Sequence, residues 1–473
     1  MKNDLYKDRI MADCVKGDKG RKNNPLTNKV KLANRCCNKS YPDAFPMQRY
    51  YRGKWFSFTR NGYKQVSKEE IEGDITLSLT HCYDLNGVVS SDLRRDVLDI
   101  LQTNDFYGLP EKEHQMPFLI STGTDASRIL LMKNGYICVD TIMDTMKAGR
   151  PRPKTKETTP DLFSTWTKDY DYVSTARCPK FLKFLKEIQP DKANREMLQM
   201  MAGLCLIPDC SYERFFVLCG IAGSGKTTFL KVLKAMVGKN CYCSIPLAKL
   251  HEESNGVLLT EKLVNISSDM SLDAGTEHTE AFLQMVASGE DISIDDDNGN
   301  GPRWAKVTAR CIFETNNLPR FSDKSNGVWG RLCLIPFHHV FRGTPKQNPH
   351  LADELIEQEM SGILNWALEG LFKLRTAKTF PLSKESLGTI IDWRKDCDSP
   401  GAYLMARIEV NPQRRLEPWM IYDNYTHWAE EHGIQPVERT ELMKCVLRTY
   451  PTIHIQQYSK GYWLECLGFR YDT

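Results

Sequence analysis

The chain has 473 residues, 41% of them hydrophobic, which is enough to bury a substantial core and long enough for roughly two to four domains. Its formal net charge of only +3 excludes a globally basic protein that attracts nucleic acid through its overall field. No apolar run approaches the length of a membrane span, and the first residues, MKNDLYKDRI, contain acids and no apolar segment. The sequence therefore predicts a cytoplasmic protein with no signal peptide and no membrane partner.

Positive charge is concentrated at the start of the chain. Residues 1–40 carry eleven lysines and arginines against four aspartates, and they show little apolar periodicity. This excess is typical of a flexible basic arm that contacts phosphates, and a merely solvated tail explains it equally well.

The sixteen cysteines are scattered along the chain, and no two of them form a C-x-x-C pair. The two close groups, RCCN at Cys36 and CYCS at Cys241, lack partners at the spacing of zinc ligands. We therefore expect reduced and mostly buried thiols rather than a metal centre.

Residues 41–150 have the pattern of a small mixed α+β domain. YYRGKWFSFTRNGYKQVSKEEI predicts short strands, and SSDLRRDVLDILQT predicts a helix that begins at a capping serine. Residues 151–195 are expected to form a linker and a helical lead-in. The segment AGRPRPKTKETTPD is rich in Pro, Lys and Thr, whereas CPKFLKFLKEI and REMLQMMAGLCL are helical.

The segment FFVLCGIAGSGKTTFLKVLKAMVG, at residues 215–238, combines a β-like run, a glycine-rich turn and an amphipathic helix. It fits the pattern G-x-x-x-x-G-K-[ST], in which backbone N–H groups and the helix dipole hold phosphate oxygens. The lysine, Lys226, reaches the β and γ phosphates, and Thr227 holds Mg²⁺. A glycine turn with a helix-capping threonine is the alternative. The predicted nucleotide-binding residues are Gly220, Ile221, Ala222, Gly223, Ser224, Gly225, Lys226, Thr227 and Thr228.

Three polar residues downstream of this loop are candidates for nucleotide hydrolysis. Asp269 follows the apolar strand of KLVNISSDM. An acid at the end of a strand adjacent to the loop holds Mg²⁺ through water or orients the attacking water, although a strand-terminal turn residue fits the same pattern. Asn316, after the strand of RCIFETNNLPRF, is a neutral amide suited to sensing the γ-phosphate. Arg331, before the strand of LCLIPF, is placed to reach a neighbouring subunit's γ-phosphate as an arginine finger.

A hairpin is predicted from ISIDDDNGNGPRWAKVTAR, because NGNG at residues 298–301 is a strong turn signal between two extended stretches. Arg303 and Lys306 are candidates for contacts with DNA phosphates, and Trp304 is a candidate for stacking on a base. An ordinary surface hairpin with a packed Trp304 explains the same pattern.

The predicted nucleotide-binding block covers residues 196–345, and residues 346–405 are expected to be helical. In residues 406–473 the pattern indicates two helices and then a hairpin, which suits a winged-helix-like domain. Tyr422, Tyr425 and Trp428 recur there at helical spacing, and we expect them in the core rather than on a DNA-binding face.

Five segments in order, GIAGSGKTT, KLVNISSDM, FLQMVASGEDI, IFETNNLPRFSD and GVWGRLCLIPF, resemble the superfamily 3 helicases. The likeness is to the helicase half of phage and plasmid primase-helicases related to the poxvirus replicative ATPase. It extends to LLMKNGYICVDT, near Asn134, and to EMSGILNWALEGLFKL, at residues 359–374, and so spans roughly residues 45–405.

The resemblance implies an α/β fold with an AAA+ P-loop ATPase core behind a collar-like N-terminal domain. It also implies self-association into a ring, usually a hexamer, that hydrolyses ATP between subunits and draws one DNA strand through its pore. The residues that match the family's catalytic positions are Lys226, Asp269, Asn316 and Arg331. Those that match its metal ligands are Thr227 and Asp269. Asn316 is preferred to Asn317 because the family's amide lies three residues before the proline, here Pro319.

Two features depart from the family pattern. The strand before Asp269 ends in SSD, with one acid where many relatives have two, so metal binding and water activation both depend on that residue. The hairpin has three aspartates at residues 295–297, and Phe282 is followed by Leu283, whereas relatives commonly carry a lysine at both places. The expected contacts with DNA are therefore less typical of the family than the ATP site.

These observations favour an ATP-dependent replicative DNA helicase of a phage or mobile element, working in the host cytoplasm on single-stranded and forked DNA. Two alternatives stay open: a primase-helicase with its own priming activity, and a non-unwinding initiator or DNA-bound scaffold that uses ATP as a switch. The roughly 150 residues before the ATPase block leave little room for a primase domain. We therefore expect a separate primase or polymerase as a partner.

Overall fold

The computed structural model describes residues 29, 33, 47–80, 89–103, 108–109, 115–268, 270, 277–294, 302–319, 321, 326–345, 347–459 and 461–470. The chain divides into two compact units, Met1–Ser174 and Thr175–Thr473. Apart from residues 29 and 33, the predicted basic arm lies outside the described residues. The structure is mixed α/β with a parallel sheet, as the sequence predicts.

The described part of the first unit from residue 47 onward contains short strands and three helices. Its strands are β1 (Gln48–Tyr51), β2 (Lys54–Thr59), β3 (Gly62–Val66), β4 (Phe118–Leu119), β5 (Ile129–Met132), β6 (Gly135–Cys138) and β7 (Leu162–Phe163). Its helices are α1 (Lys68–Thr80), α2 (Ser91–Thr103) and α3 (Val139–Lys147). Strands β1, β2 and β3 form an antiparallel sheet, and β4 with β7 and β5 with β6 form two-stranded pairs.

Helix α2 begins where its capping serine predicts. The Ser90 hydroxyl accepts a hydrogen bond from the Leu93 backbone N–H at 3.1 Å, which satisfies one of the free donors at the start of the helix. Apolar residues of α1 and α2 then pack with Trp55 of β2 in one core. A second core of this unit is mainly aromatic and contains Tyr51, Phe56, Phe58, Tyr63, Phe118 and Phe163.

The second unit is organised around a five-stranded parallel sheet. Its strands are β8 (Phe215–Gly220), β9 (Tyr242–Cys243), β10 (Val264–Ser267), β13 (Arg310–Thr315) and β14 (Leu332–Phe337). Two further strands, β11 (Asp291–Ile294) and β12 (Arg303–Lys306), form a separate antiparallel hairpin between β10 and β13 in the chain. The order across the sheet is β14-β8-β13-β10-β9. Strand β14 is buried at every position, which is typical of a parallel sheet covered on both faces.

Strand β10, which precedes Asp269, is not a direct neighbour of the loop strand β8. Strand β13 lies between them, with Ile312 paired to Phe216 of β8 on one side and to Ile266 of β10 on the other. Neighbours in a parallel sheet are set by how the crossover connections pack, and the order of strands along the chain does not determine them.

Nine further helices surround this sheet or follow it up to residue 407 in the described part of the chain. They are α4 (Pro179–Ile188), α5 (Lys192–Leu204), α6 (Lys226–Val237), α7 (Glu253–Glu261), α8 (Glu277–Ser288), α9 (Asn326–Arg331), α10 (Leu351–Ala377), α11 (Lys384–Lys395) and α12 (Ser399–Arg407). The predicted helical segment therefore comprises α10, α11 and α12. Helices α5 and α10 approach closely, since a Cβ at Gly203 would lie 2.4 Å from the carbonyl oxygen of Ala367.

The C-terminal part contains the two predicted helices and the predicted hairpin. These are α13 (Pro418–Glu431), α14 (Arg439–Thr449), β16 (Ile455–Tyr458) and β17 (Gly461–Phe469). Strand β15 (Ile408–Leu416), which was not predicted, pairs with β17 and completes a sheet of order β15-β17-β16. Tyr425 and Trp428 are buried and Tyr422 is half-buried in one core, so their predicted core role is confirmed.

None of the helices in the described ranges combines the length and the apolar character that crossing a bilayer requires. The described cysteines are free thiols, and most of them are buried. Burial raises the pKa of Cys205 to about 12 and that of Cys333 to about 12, so these thiols stay protonated at neutral pH.

Candidate nucleotide-binding site

The glycine-rich loop connects the end of β8 to the start of α6, as the sequence predicts. Gly220 has a φ of +149°, and a Cβ there would lie 2.0 Å from the carbonyl oxygen of Phe337. Gly225 has a φ of +92°, and a Cβ there would lie 2.5 Å from Cγ2 of Ile188. Both positions combine a left-handed backbone with a close neighbour, so only glycine fits them without strain.

Lys226 is folded into its own loop and is 2% exposed. Its Nζ donates hydrogen bonds to the carbonyl oxygens of Gly220 at 2.7 Å and Ile221 at 3.0 Å. The side-chain oxygens Ser224 Oγ and Asn316 Oδ1 each accept from it at 3.3 Å. The ammonium group is therefore surrounded by neutral oxygens at the place where the pattern predicts a phosphate.

Asn316 is brought to Lys226 by the parallel pairing of β8 and β13. Thr315, the last residue of β13, pairs with Cys219 near the end of β8, so the next residue arrives beside the loop. Asn316 contacts Lys226 through its side chain, whereas Asn317 contacts the Thr315 hydroxyl through its backbone N–H at 3.2 Å. Of the two amides that the sequence offers, the one that lies against the loop lysine is Asn316.

Glu314 was missed by the sequence analysis. The Thr227 hydroxyl donates a hydrogen bond to Glu314 Oε1 at 2.7 Å. Burial lowers the pKa of Lys226 and of Lys234, and the Glu314 carboxylate opposes that lowering in each. A signal for Glu314 was present, because residues two apart on a strand share a side and Glu314 stands two residues before Asn316.

The predicted metal acid, Asp269, lies outside the described residues. Strand β10, which ends two residues earlier, is a neighbour of β13 and β9. Its buried Asn265 has a structural use, since the side chain accepts from the Ile245 N–H at 2.7 Å and donates to the Ile245 carbonyl at 3.0 Å. Of the two predicted metal ligands, the described one is therefore Thr227, and it lies beside Glu314.

Arg331 lies at the opposite end of the sheet from its own loop. The register pairs Leu332 with Phe215 at one end of the strands and Phe337 with Gly220 at the other. Arg331 precedes the first of these pairs, and the loop follows the second. Five residues of strand separate these ends by roughly 17 Å, so Arg331 is distant from the loop of its own chain.

The guanidinium of Arg331 is held by residues on its own side of the sheet. It forms an ion pair with Glu213 at 2.9 Å and donates to Ser288 Oγ at 3.2 Å and to the Gly327 carbonyl at 3.1 Å. Its side chain is 27% exposed and that of Glu213 is 53% exposed. Part of the Arg331 side chain therefore faces solvent.

Strands β11 and β12 form the predicted hairpin, with Ser293 paired to Trp304. Trp304 is 74% exposed, so the packed Trp304 of the alternative interpretation is wrong, whereas an ordinary surface hairpin stays open. Lys306 is exposed at the end of the same strand. The side chain of Arg303, the three aspartates at 295–297 and the NGNG turn lie outside what the structure describes.

A cavity of about 470 Å³ opens beside the loop. Ile188 lines the cavity and also contacts Gly225 of the loop. Pro336 and Gln189 line it as well, and the Pro336 carbonyl accepts a hydrogen bond from Gln189 Nε2 at 2.6 Å. His338 and Glu385 meet at 2.9 Å on the same wall. The volume is in the range of pockets that bind small molecules.

Comparison with known proteins finds a family model that matches part of the second unit. Residues 218–331 match the "Family of unknown function (DUF5906)". The "Putative helicase L207/L206" of Acanthamoeba polyphaga mimivirus is 26% identical over 274 residues, which are 53% of this chain and 28% of that protein's length. The A form apo structure of the NrS-1 C terminal region is 11% identical with a TM-score of 0.42, covering 89% of this chain and 97% of that one. A second apo structure of that region is also 11% identical to this chain, with a TM-score of 0.42. The match covers 88% of this chain and 94% of that one.

Proposed function

We propose that this chain is the motor of an ATP-dependent replicative DNA helicase whose subunits form a ring around single-stranded DNA. The observation that carries the proposal is the contact between Lys226 and Asn316, which joins the loop expected to hold phosphate to the amide expected to sense it. The sequence likeness to the mimivirus protein named a helicase supports the same function. The proposal includes an AAA+ type core, a ring of six subunits, and ATP with Mg²⁺ as the bound nucleotide.

In the proposed reaction the loop N–H groups and Lys226 hold the β and γ phosphates. Lys226 would exchange its contacts with the loop carbonyls for phosphate oxygens, which bind an ammonium group more strongly than neutral oxygens do. Asn316 would orient the attacking water without adding negative charge. Bound Mg²⁺ would neutralise charge on the phosphates, and Thr227 and Asp269 are its proposed ligands. The nucleoside would occupy the cavity that Ile188 joins to the loop.

Arg331 has its proposed role in the neighbouring subunit's reaction. Its position at the far end of the sheet separates it from its own loop, and its side chain is partly exposed at the surface. A guanidinium opposite the γ-phosphate neutralises charge that develops in the transition state. Hydrolysis would therefore require two adjacent subunits.

The hairpin of β11 and β12 is the proposed DNA contact. An exposed tryptophan ring stacks on bases of any sequence, and a lysine two residues away contacts phosphates, which suits translocation along DNA. The exposure of Trp304 supports this role, and Arg303 completes the proposed set. We expect the DNA to be single-stranded or forked and priming to come from a separate primase or polymerase.

The experiment is strand displacement on a forked duplex with ATP, run beside a primer-synthesis assay on a single-stranded template. The proposal expects displacement that requires ATP and Mg²⁺, no primers, and no displacement by the Lys226→Ala protein. Primer synthesis together with displacement would show a primase-helicase. ATP turnover without displacement would show a switch-type initiator or scaffold, and the absence of turnover in the wild-type protein would overturn the nucleotide assignment.

A further inference from the structure

Glu314 has no role in the reaction proposed above, although it accepts a hydrogen bond from the threonine that is expected to hold the metal. We propose that Glu314 is a carboxylate ligand of the Mg²⁺ that accompanies ATP, and that it shares this ion with the Thr227 hydroxyl. The inference rests on the proposed function of the loop in binding a nucleotide.

The distance between the two oxygens fits neighbouring ligands of one magnesium ion. Mg²⁺ takes six oxygens in near-ideal octahedral geometry at 2.0–2.1 Å, so adjacent ligand oxygens are roughly 2.9 Å apart. Thr227 Oγ1 and Glu314 Oε1 are 2.7 Å apart. Both oxygens would therefore bind one ion with little movement, once the threonine turns its proton outward and presents a lone pair.

The fold holds Glu314 in place relative to the loop. Strand β13 pairs with β8 in parallel, and Glu314 is directly opposite Leu218, two residues before the end of β8. Thr227 is the second residue of α6, immediately after Lys226. Thr227 is exposed and Glu314 is half-buried, so an ion from solvent has access to both oxygens.

Glu314 lies near two positively charged groups. Two ammonium groups, those of Lys226 and Lys234, are close enough that the carboxylate counters the effect of burial on their pKa values. An ionised carboxylate is a strong oxygen ligand for a hard cation such as Mg²⁺. Within the described ranges no group of three or more His, Cys, Asp and Glu side chains could hold a metal. The remaining ligands would be phosphate oxygens and water.

The number of carboxylates also agrees with this assignment. Magnesium at phosphate sites is bound by one or two carboxylates in addition to the phosphates. Glu314 would be one of these carboxylates, supplied by strand β13.

The test measures how much Mg²⁺ improves nucleotide binding in the Glu314→Gln protein. Binding of a fluorescent, non-hydrolysable ATP analogue to the full chain is followed by anisotropy, once with EDTA and once with saturating Mg²⁺. Glutamine keeps the shape and still accepts from Thr227, but it lacks the charge. In EDTA we expect the Glu314→Gln protein to bind the analogue with an affinity equal to or above that of the wild-type protein. The increase in affinity on adding Mg²⁺ should fall by about tenfold or disappear. Thr227→Ala should lose the same gain.

The matched control is Glu409→Gln. Glu409 is also a half-buried strand glutamate, in β15, and it pairs with Arg414 at 3.7 Å. Its substitution by glutamine also removes one negative charge, but at a position distant in the chain from Glu314. The increase in affinity on adding Mg²⁺ should therefore equal that of the wild-type protein. Thermal unfolding without ligand shows whether each variant is folded.

Two results would overturn the inference. A Glu314→Gln protein with a wild-type gain on Mg²⁺ would show that Glu314 is not a ligand, and one that no longer binds in EDTA would show that Glu314 only supports the loop. In both cases the wild-type protein still binds the analogue. If the wild-type protein binds no analogue under either condition, the proposed function of the loop fails as well.

Discussion

The Nζ of Lys226 lies 3.3 Å from Oδ1 of Asn316, although the two residues are 90 positions apart in the chain. The first belongs to the loop after β8 and the second follows the adjacent strand β13. The lysine and the amide are therefore in direct contact across two neighbouring strands of the sheet. Each of the two residues can be substituted and compared with a control substitution nearby in the chain, Lys231 for Lys226 and Asn317 for Asn316.

Lys226→Ala should abolish ATP hydrolysis and leave the fold intact. The side chain contacts loop carbonyls and the predicted phosphates, and it contributes little to the apolar core. Turnover is measured by phosphate release, and folding by thermal unfolding. Lys231→Ala, on the exposed side of the same helix, should have wild-type turnover. Normal hydrolysis by Lys226→Ala would refute the nucleotide assignment.

Asn316→Ala should lower the rate of hydrolysis by about 10²-fold while nucleotide binding is retained, because a neutral group that positions the reacting water or stabilises its charge is lost. Asn317→Ala is the matched control, since that residue contacts Thr315 through its backbone, which the substitution keeps. The comparison uses kcat under saturating ATP. Equal losses in both variants would contradict a specific role for Asn316.

Arg331→Ala should bind ATP through its intact loop but hydrolyse it about 10³ to 10⁵ times more slowly, as expected when an arginine finger is removed. Mixing it with the Lys226→Ala protein should restore part of the activity. A mixed ring pairs a functional loop on one subunit with a functional arginine on the next. Phosphate release is measured for each protein alone and for the mixture, with mass measurement to confirm mixed rings.

Two outcomes would contradict the proposed role of Arg331. Mixed rings without any recovered turnover would argue against hydrolysis between subunits. Normal turnover by Arg331→Ala alone would make the residue a structural one, held by Glu213 at the start of β14.

Trp304→Ala should weaken binding of single-stranded DNA by roughly 1 to 3 kcal/mol, the usual effect of losing one stacked base. Replacing Arg303 or Lys306 should instead make the dependence of affinity on salt shallower, by about 0.7 in log K per log of salt for each lost phosphate contact. Fluorescence anisotropy at several salt concentrations measures both quantities. Unchanged binding in all three variants would remove the hairpin from the DNA path.

Gly203→Ala should destabilise the second unit by about 1 to 3 kcal/mol, the usual cost of overpacking a tight interface. A Cβ at this position would lie 2.4 Å from the Ala367 carbonyl oxygen and 2.4 Å from the Leu371 nitrogen, so α5 and α10 would have to separate. Gly388→Ala, in the exposed part of α11 with nothing within 4 Å, should be neutral or stabilising. Denaturant unfolding compares the two. A neutral Gly203→Ala would show that the helices adapt to the extra methyl group.

Several features of this protein could be predicted from sequence because their causes are local. The glycine positions of the loop, the lysine and the start of α6 all lie within about a dozen residues, and backbone sterics require glycine where a left-handed conformation meets a close neighbour. The hairpin strands and the cap of α2 at Ser90 depend on equally short patterns. The roles predicted for Lys226 and Thr227 rest on such a pattern and need no knowledge of the fold.

Only the tertiary structure decided which distant segments meet at this loop. Parallel strands are joined by long crossover connections, so the neighbours of β8 come from far along the chain and no local pattern identifies them. The position of β13 between β8 and β10 brings Glu314 to Thr227 and Asn316 to Lys226. The same parallel register places Arg331 at the opposite end of the sheet from its own loop, because all the strands of this sheet run in one direction.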